Sequence, residues 1–333
     1  MPKLNCKYAG LQLKSPIIAG SSALSNNIKN IIELERQGAG AVVLKSLFEE
    51  EILGEHNKML QDATGTNADI ENLDYLDYRI KDETLTQYTN LISEAKKKTQ
   101  LPIIGSINCV SPGEWIHFAH TIENAGADAL EINLFIPASS GESEKDIEEK
   151  HIQVVQEAIA NTSLPIIVKI SHYFADLGGI IKRLSVSGIS GLVLFNRFYM
   201  PDIDIKTETV VSENIFSEPS DIGISLRWIA LSANKVECDL AASTGVHNAR
   251  GAIKQLLAGA SAVQVVSALY KHGADAVKMI NEGLLLFMKE KGYENISDFK
   301  GKLSYGKNMN AGLFERVQFM KYFSNKENEK NLY

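Results

Sequence analysis

The sequence has few cysteines and no long apolar run. Cys6, Cys109 and Cys238 are the three cysteines among its 333 residues, and they lie far apart. Because no two of them form a Cys-x-x-Cys pair, we expect neither a disulfide framework nor an iron–sulfur cluster held by this chain. No apolar run reaches the roughly 18 residues of a membrane-spanning helix, and the start of the sequence lacks the apolar core of a signal peptide. These absences predict a cytoplasmic protein with no membrane partner.

The sequence also has no excess of basic over acidic residues. The 34 lysine and arginine residues are outnumbered by 41 aspartate and glutamate residues, which gives a net charge of −7. This balance argues against nucleic acid as a partner. His117 and His120 are three residues apart, but no third histidine, cysteine or acid is spaced to join them, so no metal site is expected. The hydrophobic share of 44% is enough for the large core of an ordinary globular protein.

Short apolar runs recur along the whole chain, separated by amphipathic segments of helix length. There are eight of them: PIIAG (16–20), AVVLKS (41–46), PIIGSI (102–107), ALEINL (129–134), PIIVKI (165–170), GLVLFN (191–196), CDLAAS (238–243) and AVQVVS (262–267). None shows a regular alternation of polar and apolar residues. This pattern is typical of parallel strands that are buried on both faces.

Glycine-containing joints lead into every second run. They are QGAGAV (37–42), AGADAL (125–130), SGISGLV (187–193) and AGASAV (258–263). A glycine at the end of a helix fits a left-handed C-cap. Eight parallel strands with intervening helices predict an α/β fold of the (β/α)8 type, a TIM barrel. An open doubly wound sheet that binds a dinucleotide is the alternative, but the first turn, GSSALSN (20–26), has no Gly-x-Gly-x-x-Gly motif.

We expect residues 1–333 to form a single domain. Two connections, from about residue 47 to 82 and from about 197 to 223, are too long for simple loops. They follow strands two and six, and we predict that they are lid insertions over the carboxyl ends of the strands. The opening segment, at about 3–15, predicts a hairpin that closes the bottom of the barrel. The tail, at about 325–333, is predicted to be disordered.

Polar residues lie where the predicted strands end, which is the part of such a barrel that carries the chemistry. Lys45 and Ser46 end the second run, Glu131 and Asn133 belong to the fourth, and Lys169 belongs to the fifth. A lysine at a buried strand end needs an anion or an acceptor to offset its desolvation. The sequence is compatible both with a salt bridge to Glu131 and with a bound anion.

A Ser-Thr-Gly turn at residues 243–245 precedes the next predicted helix. Backbone N–H groups at such a turn suit a phosphate group. TIM barrels often bind phosphate after strands seven and eight, and Ser267 follows strand eight. Two lysines together with a phosphate turn favour flavin mononucleotide (FMN) as cofactor, because a cation near the pyrimidine edge of the ring stabilises the reduced, anionic flavin.

At these residues the chain resembles the dihydroorotate dehydrogenase family, of the soluble class 1 kind, over about residues 3–303. AGAVVLKS (39–46) and PIIVKI (165–170) are similar to the two flavin-binding lysine segments of the family. ALEINL (129–134) resembles its Glu-Leu-Asn-Leu strand, and residues 241–273 resemble its phosphate-binding end. The order and spacing of these segments make the resemblance specific for the fold and for the flavin.

The resemblance implies a set of site residues and an activity. The residues implied for FMN are Lys45, Ser46, Asn133, Lys169, Ser243, Thr244, Gly245 and Ser267. Those implied for the substrate are Lys45, Asn72, Asn133, Asn196 and Arg197. The implied reaction is hydride transfer from dihydroorotate to the flavin, which gives orotate for pyrimidine biosynthesis. The implied electron acceptor is fumarate or a redox protein, and the implied assembly is a homodimer.

The chain departs from the family at the catalytic base. In register, the cysteine or serine of the family becomes Ile136, and a hydrocarbon side chain cannot accept a proton. A positioned base contributes about 10²–10⁴-fold to a rate, so the catalytic residue is unknown, with Ser139, Ser140 and His172 as candidates by position. Three functions stay open: a dihydroorotate dehydrogenase with another base, an FMN oxidoreductase for a different small cyclic substrate, and a non-catalytic flavin-binding or electron-transfer module.

Overall fold

The computed structural model describes residues 2–48, 70–108, 112–134, 136, 141–197, 201–212 and 215–306, with the backbone alone at 70–83 and 112–117. Its strands are β1 Cys6–Tyr8, β2 Leu11–Leu13, β3 Ile17–Ala19, β4 Ala41–Val43, β5 Leu47–Phe48, β6 Ile103–Asn108, β7 Ala129–Asn133, β8 Ile166–Ile170, β9 Gly191–Leu194, β10 Asp202–Asp204, β11 Thr209–Val211, β12 Asp239–Ala242 and β13 Ala262–Val265. Its α-helices are α1 Ile28–Arg36, α2 Ile70–Lys98, α3 Pro112–Asn124, α4 Glu144–Asn161, α5 Leu177–Ser185, α6 Ile222–Ser232, α7 Ala249–Ala258, α8 Ser267–His272 and α9 Asp275–Lys291.

Eight parallel strands close into a barrel. Around it the order is β3, β4, β6, β7, β8, β9, β12 and β13, and β13 pairs with β3 to complete the ring. These eight strands lie in the eight apolar runs of the sequence. All of their residues are buried except two, Asp239 at the start of β12 and Asn108, which ends β6 one residue beyond the third run; this is expected for strands covered on both faces. The prediction of a (β/α)8 TIM barrel is confirmed.

The four glycine joints are also confirmed, because each contains a glycine at positive φ within three residues of the end of a helix. Gly38, Gly126, Gly188 and Gly259 have φ angles of 85°, 94°, 98° and 123° and follow α1, α3, α5 and α7. A glycine has no Cβ to oppose this conformation, so the chain leaves each helix and enters the next strand within a few residues. This local chemistry sets the regular alternation of helices and strands.

The interior of the barrel is packed with side chains in layers. Ile18, Ile104, Ile167 and Val193 belong to one apolar cluster inside the ring, together with the alanines of neighbouring strands. The predicted hairpin is present as the antiparallel pair β1–β2, and its Tyr8, which is fully buried, belongs to the same cluster. The hairpin therefore closes the end of the barrel opposite the carboxyl ends of the strands.

The two predicted insertions have different outcomes. Helix α2 begins at Ile70, so the first connection ends earlier than the predicted residue 82, and residues 49–69 lie outside the described part. After β9, the second connection contains the short antiparallel pair β10–β11 and a 3-10 helix, Pro219–Asp221, that leads into α6. The predicted disordered tail also lies outside the described residues. Within the described ranges, no helix has the length and apolar character needed to cross a membrane.

Candidate active site

A cavity of about 400 Å³ opens at the carboxyl ends of the barrel strands. This volume lies in the range of small-molecule and cofactor sites. Seven residues predicted from the sequence line it: Lys169, Asn196, Arg197, Ser243, Thr244, Gly245 and Ser267. They come from four different strand ends, which barrel closure alone brings to one place.

The floor of the cavity carries a buried polar network. Lys169 donates to Gln264 Oε1 at 3.0 Å and lies 3.6 Å from Glu131 Oε1, while Gln264 donates to Glu131 Oε2. Glu131 is fully buried, and its Oε1 has no hydrogen-bond partner among the described residues. The salt bridge that the sequence allowed is thus present, and Lys169 still faces the cavity. Lys169 therefore places a positive charge at the floor of the cavity.

These side chains point inward because strand residues alternate between the two faces. Ile104, Ala129, Ile167 and Ala262 belong to the interior cluster. The residues two positions later are therefore the next interior layer: Ser106, Glu131, Lys169 and Gln264. On β6, β7, β8 and β13 this layer above the apolar core is therefore polar, which places its charges and amides directly under the cavity.

A second cluster joins the predicted residues Ser46 and Asn133. The Asn133 amide donates to Ser46 Oγ at 2.9 Å and to Ser106 Oγ at 3.1 Å. Ser46 Oγ also lies 3.1 Å from Ser21 Oγ, and Ser21 lines the cavity. The cluster is buried and well satisfied, so it holds these side chains in fixed positions beside the cavity. Lys45, half-buried, lies next to it in sequence, after β4.

The predicted phosphate turn has an unusual backbone. Thr244 and Gly245 have φ angles of 75° and 79°. Positive φ is uncommon for a β-branched residue, and the Thr244 hydroxyl donates to the carbonyl of Phe195 at 3.3 Å, which ties the turn to the end of β9. A Cβ at position 245 would lie 2.2 Å from the backbone nitrogen of Ile222, at the start of α6. Glycine is therefore required there by both conformation and space.

The segment 215–217 covers one side of the cavity. Its Ser217 is buried, and Ser217 donates twice to Ser267 Oγ, from the backbone N–H at 2.9 Å and from the hydroxyl at 3.0 Å. His247 Nε2 lies 3.1 Å from Ser217 Oγ. Arg197 lines the cavity, and its guanidinium donates to the carbonyls of Ile215 and Phe216. These two hydrogen bonds give Arg197 a role in fixing the segment in addition to facing the cavity.

Two histidines near the cavity have lowered pKa values. Burial lowers the pKa of His172, whose ring contacts the rings of Tyr173 and Phe195. Burial, and next the positive charge of Lys271, lower the pKa of His247. Both rings are therefore neutral near pH 7, and a neutral imidazole is able to accept a proton.

Several predicted residues fall at or beyond the edge of the described part. Ile136 is half-buried and follows β7 by three residues. Ser139 and Ser140 lie outside the described residues. Asn72 lies in α2, in the stretch where only the backbone is described, so its predicted contact with the substrate remains a prediction.

The sequence analysis did not select Ser21, Ser106, Ser217 or Gln264, all of which belong to the site. Ser106 and Gln264 are isolated polar residues inside apolar runs, and they share this feature with Glu131 and Lys169. That signal was sufficient to find them. Ser217 lies in an insertion without a repeating pattern, and only the fold brings it to Ser267.

Comparison with known proteins agrees with this geometry. The sequence model of the dihydroorotate dehydrogenase family matches residues 3–288. A dihydroorotate dehydrogenase B (NAD(+)), catalytic subunit, of Thermoplasma volcanium is 28% identical over 90% of this chain and 98% of its own length. A putative dihydroorotate dehydrogenase A (fumarate) of Aeropyrum pernix is 27% identical over 90% and 97%. The corresponding catalytic subunit of Pyrococcus abyssi is 27% identical over 90% and 98%. The chain belongs to the dihydroorotate dehydrogenase family of oxidoreductases.

Proposed function

We propose that this protein is an FMN-dependent, dihydroorotate dehydrogenase-like enzyme. The observation that carries the proposal is the cavity at the carboxyl ends of the strands, which has a buried lysine at its floor and the Thr244–Gly245 turn in its wall. A ligand with a phosphate group and a polar, electron-accepting ring matches this pair of features. FMN has both parts.

The residues of the cavity fit FMN on two independent grounds. The turn at Thr244 and Gly245 stands between β12 and helix α7, and backbone N–H groups at a turn before a helix suit a phosphate group. At Gly245 the space that a side chain would need is filled by the start of α6, so the backbone itself forms this wall. Ser243, Thr244, Gly245 and Ser267 would hold the phosphate.

The other end of the site suits the flavin ring. Lys169 carries a positive charge at the cavity floor, with Gln264 fixing its direction. Lys45, Ser46, Asn133 and Lys169 would hold the ring. When bound, FMN supplies an acceptor for the two electrons of a hydride. The protein supplies the position and the charge, since Lys169 favours a ring that becomes negative on reduction.

Dihydroorotate is the proposed substrate, and its oxidation to orotate removes a hydride from one carbon and a proton from its neighbour. Lys45, Asn72, Asn133, Asn196 and Arg197 are the proposed substrate contacts; of these, Asn196 and Arg197 line the cavity. Names of relatives with 27–28% identity point to the same substrate. The same names, one with NAD(+) and one with fumarate, leave two proposed routes for the electrons, a redox partner protein or fumarate. A homodimer is proposed from the family resemblance.

The residue that accepts the proton from dihydroorotate differs from the usual one of the family. The family resemblance assigns Ile136 to the position of the usual base, and a hydrocarbon side chain cannot accept a proton. Among the described candidates, we propose His172, because its ring follows β8 at the carboxyl end of the barrel and burial keeps it neutral. His172→Gln should slow reduction by dihydroorotate by about 10²-fold or more if the ring is the base. His120→Gln, at an exposed position on helix α3, is the matched control and should leave the rate unchanged.

The substitution at position 136 also favours a second candidate, an FMN oxidoreductase that acts on a different small cyclic substrate. The visible spectrum of the purified protein, recorded anaerobically before and after addition of dihydroorotate, distinguishes the two. A flavin band that bleaches supports dihydroorotate oxidation. A flavin band that persists, but bleaches with another cyclic carboxylate, supports the second candidate. A flavin band that no donor bleaches indicates a non-catalytic module, and a colourless protein that takes up no FMN refutes the proposed cofactor.

A further inference from the structure

Three side chains form a chain of hydrogen bonds beside the phosphate turn. His247 Nε2 lies 3.1 Å from Ser217 Oγ, and Ser217 Oγ donates to Ser267 Oγ at 3.0 Å. The backbone N–H of Ser217 donates to the same Ser267 oxygen at 2.9 Å. Neither Ser217 nor His247 belongs to the set that the family resemblance implied.

The directions of these hydrogen bonds follow from counting hydrogens. A serine hydroxyl has one hydrogen to donate and two lone pairs to accept. Ser217 gives its hydrogen to Ser267, so it can only accept from His247, and His247 Nε2 must carry the hydrogen. The lowered pKa of His247 is consistent with a neutral ring in this single tautomer.

Ser267 is the last member of this series of hydrogen bonds, and its own hydroxyl hydrogen is not used within the series. Its oxygen accepts two hydrogen bonds from Ser217, so both lone pairs are occupied. Within the described ranges, its own hydroxyl hydrogen has no acceptor, and Ser267 lines the cavity together with Ser243, Thr244 and Gly245. A hydroxyl arranged in this way can donate to a ligand and can no longer accept from one.

We propose that His247 and Ser217 are positioning residues that make the Ser267 hydroxyl a committed donor to the phosphate group of the cofactor. This inference rests on the proposed function. Hydrogen bonds in a chain polarise one another, so a donor to Ser217 strengthens the donor at Ser267. Selectivity follows as well, because a group that can only donate favours a phosphate oxygen over a neutral hydroxyl such as the one at the same place in riboflavin.

The charged groups around His247, Ser217 and Ser267 are compatible with an anion bound at Ser267. Lys271 pairs with Glu218 at 2.9 Å, and Arg197 is bound to the carbonyls of the segment that carries Ser217. Lys271, Glu218 and His272 are the charged or titratable groups that act on His247. Glu218 is offset by Lys271, so the region next to Ser267 has no uncompensated negative charge from these groups.

The experiment compares FMN with riboflavin, which lacks the phosphate. Flavin is removed from the full-length protein, and each compound is titrated back while flavin fluorescence is recorded. The unaltered protein should bind FMN more tightly than riboflavin. Ser217→Ala should weaken FMN binding by about tenfold, the value of one hydrogen bond to a charged group, and should leave riboflavin binding unchanged. His247→Phe should act in the same direction, and His247→Gln, whose amide can donate, should restore part of the affinity.

Ser187→Ala is the matched control, since that hydroxyl is hydrogen-bonded to Leu184 and lies on the connection from α5 to β9, away from the cavity. Ser217→Thr keeps the hydroxyl, and it should keep the preference for FMN. The inference is overturned if Ser217→Ala weakens FMN and riboflavin equally, since that is a general structural effect, or if it weakens neither. In both cases FMN binding by the unaltered protein leaves the proposed function standing. If the unaltered protein binds neither flavin, the proposed function fails and this inference fails with it.

Discussion

Gly245→Ala gives the sharpest test of the phosphate turn. The residue has a φ of 79°, and a Cβ there would lie 2.2 Å from the Ile222 nitrogen and 2.7 Å from its Cα. Both neighbours are backbone atoms, so no change of rotamer can make room. The start of helix α6 or the turn itself must move.

The expected cost has two parts. An alanine at positive φ costs roughly 1–2 kcal/mol, and forcing an extra carbon into a packed site costs about 1–3 kcal/mol. The free energy of unfolding should therefore fall by about 2–5 kcal/mol. Gly10→Ala isolates the first part, because Gly10 has a φ of 82° and nothing within 4 Å of its Cβ position. Gly223→Ala, near the same turn but with neither feature, should cost the least.

Urea unfolding of the flavin-free protein measures the three free energies, and fluorescence titration measures FMN affinity for each variant. Only Gly245→Ala should lose FMN affinity, by tenfold or more, because it alone moves the turn. The reasoning is wrong if Gly245→Ala lowers the free energy of unfolding by no more than Gly10→Ala does. It is also wrong if Gly245→Ala binds FMN as tightly as the unaltered protein.

Three further predictions concern buried or substituted side chains. Lys169→Met should destabilise the protein by about 3–5 kcal/mol, because it leaves the buried Glu131 without its positively charged partner. In urea unfolding, the double variant with Glu131→Gln should recover most of this loss, while its FMN affinity should stay low. Burial lowers the pKa of His151 below its ordinary value of 6.5, so the unfolded chain binds the proton first on acidification. Stability should therefore decline as the pH falls below about 6.5, and His151→Gln should reduce that decline, measured by unfolding at pH 7.5 and 5.5. Ile136→Cys should raise the rate of anaerobic flavin reduction by dihydroorotate by at least tenfold if only the base is missing; an unchanged rate in stopped-flow measurements would mean that the pocket suits another substrate.

Much of the site was predictable because polar residues at strand ends have few other reasons to be there. Lys169, Asn196, Ser243, Thr244 and Gly245 were selected from such positions, and all five line the cavity. The same reasoning should have selected Gln264 and Ser106, which interrupt apolar runs in the same way as Glu131 and Lys169. They were overlooked because glutamine and serine carry no charge whose burial demands an explanation.

Other features could not be read from the chain. Arg197 was predicted to face the substrate, and it does line the cavity, but two of its hydrogen bonds go to carbonyls of the segment 215–217. The start of α2 at Ile70 was placed twelve residues too late, although Gly65, Asn67 and Asp69, residue types that are typical of turns and helix starts, precede it in the sequence. Insertions lack the periodic pattern of a packed element, so their contacts are set by what they meet in space.

The sequence by itself determined the repeating plan of this protein. Apolar runs fixed the strands, and glycines at positive φ fixed the points where helices give way to strands, because both depend on chemistry within a few residues. Closure of the barrel decided the site. Lys169 and Gln264 are 95 residues apart, and Glu131 and Gln264 are 133 residues apart, yet each pair is in direct contact. Ser217 reaches Ser267 across 50 residues in the same way. Such contacts depend on the register and tilt of eight strands at once, and no local pattern in the chain encodes them.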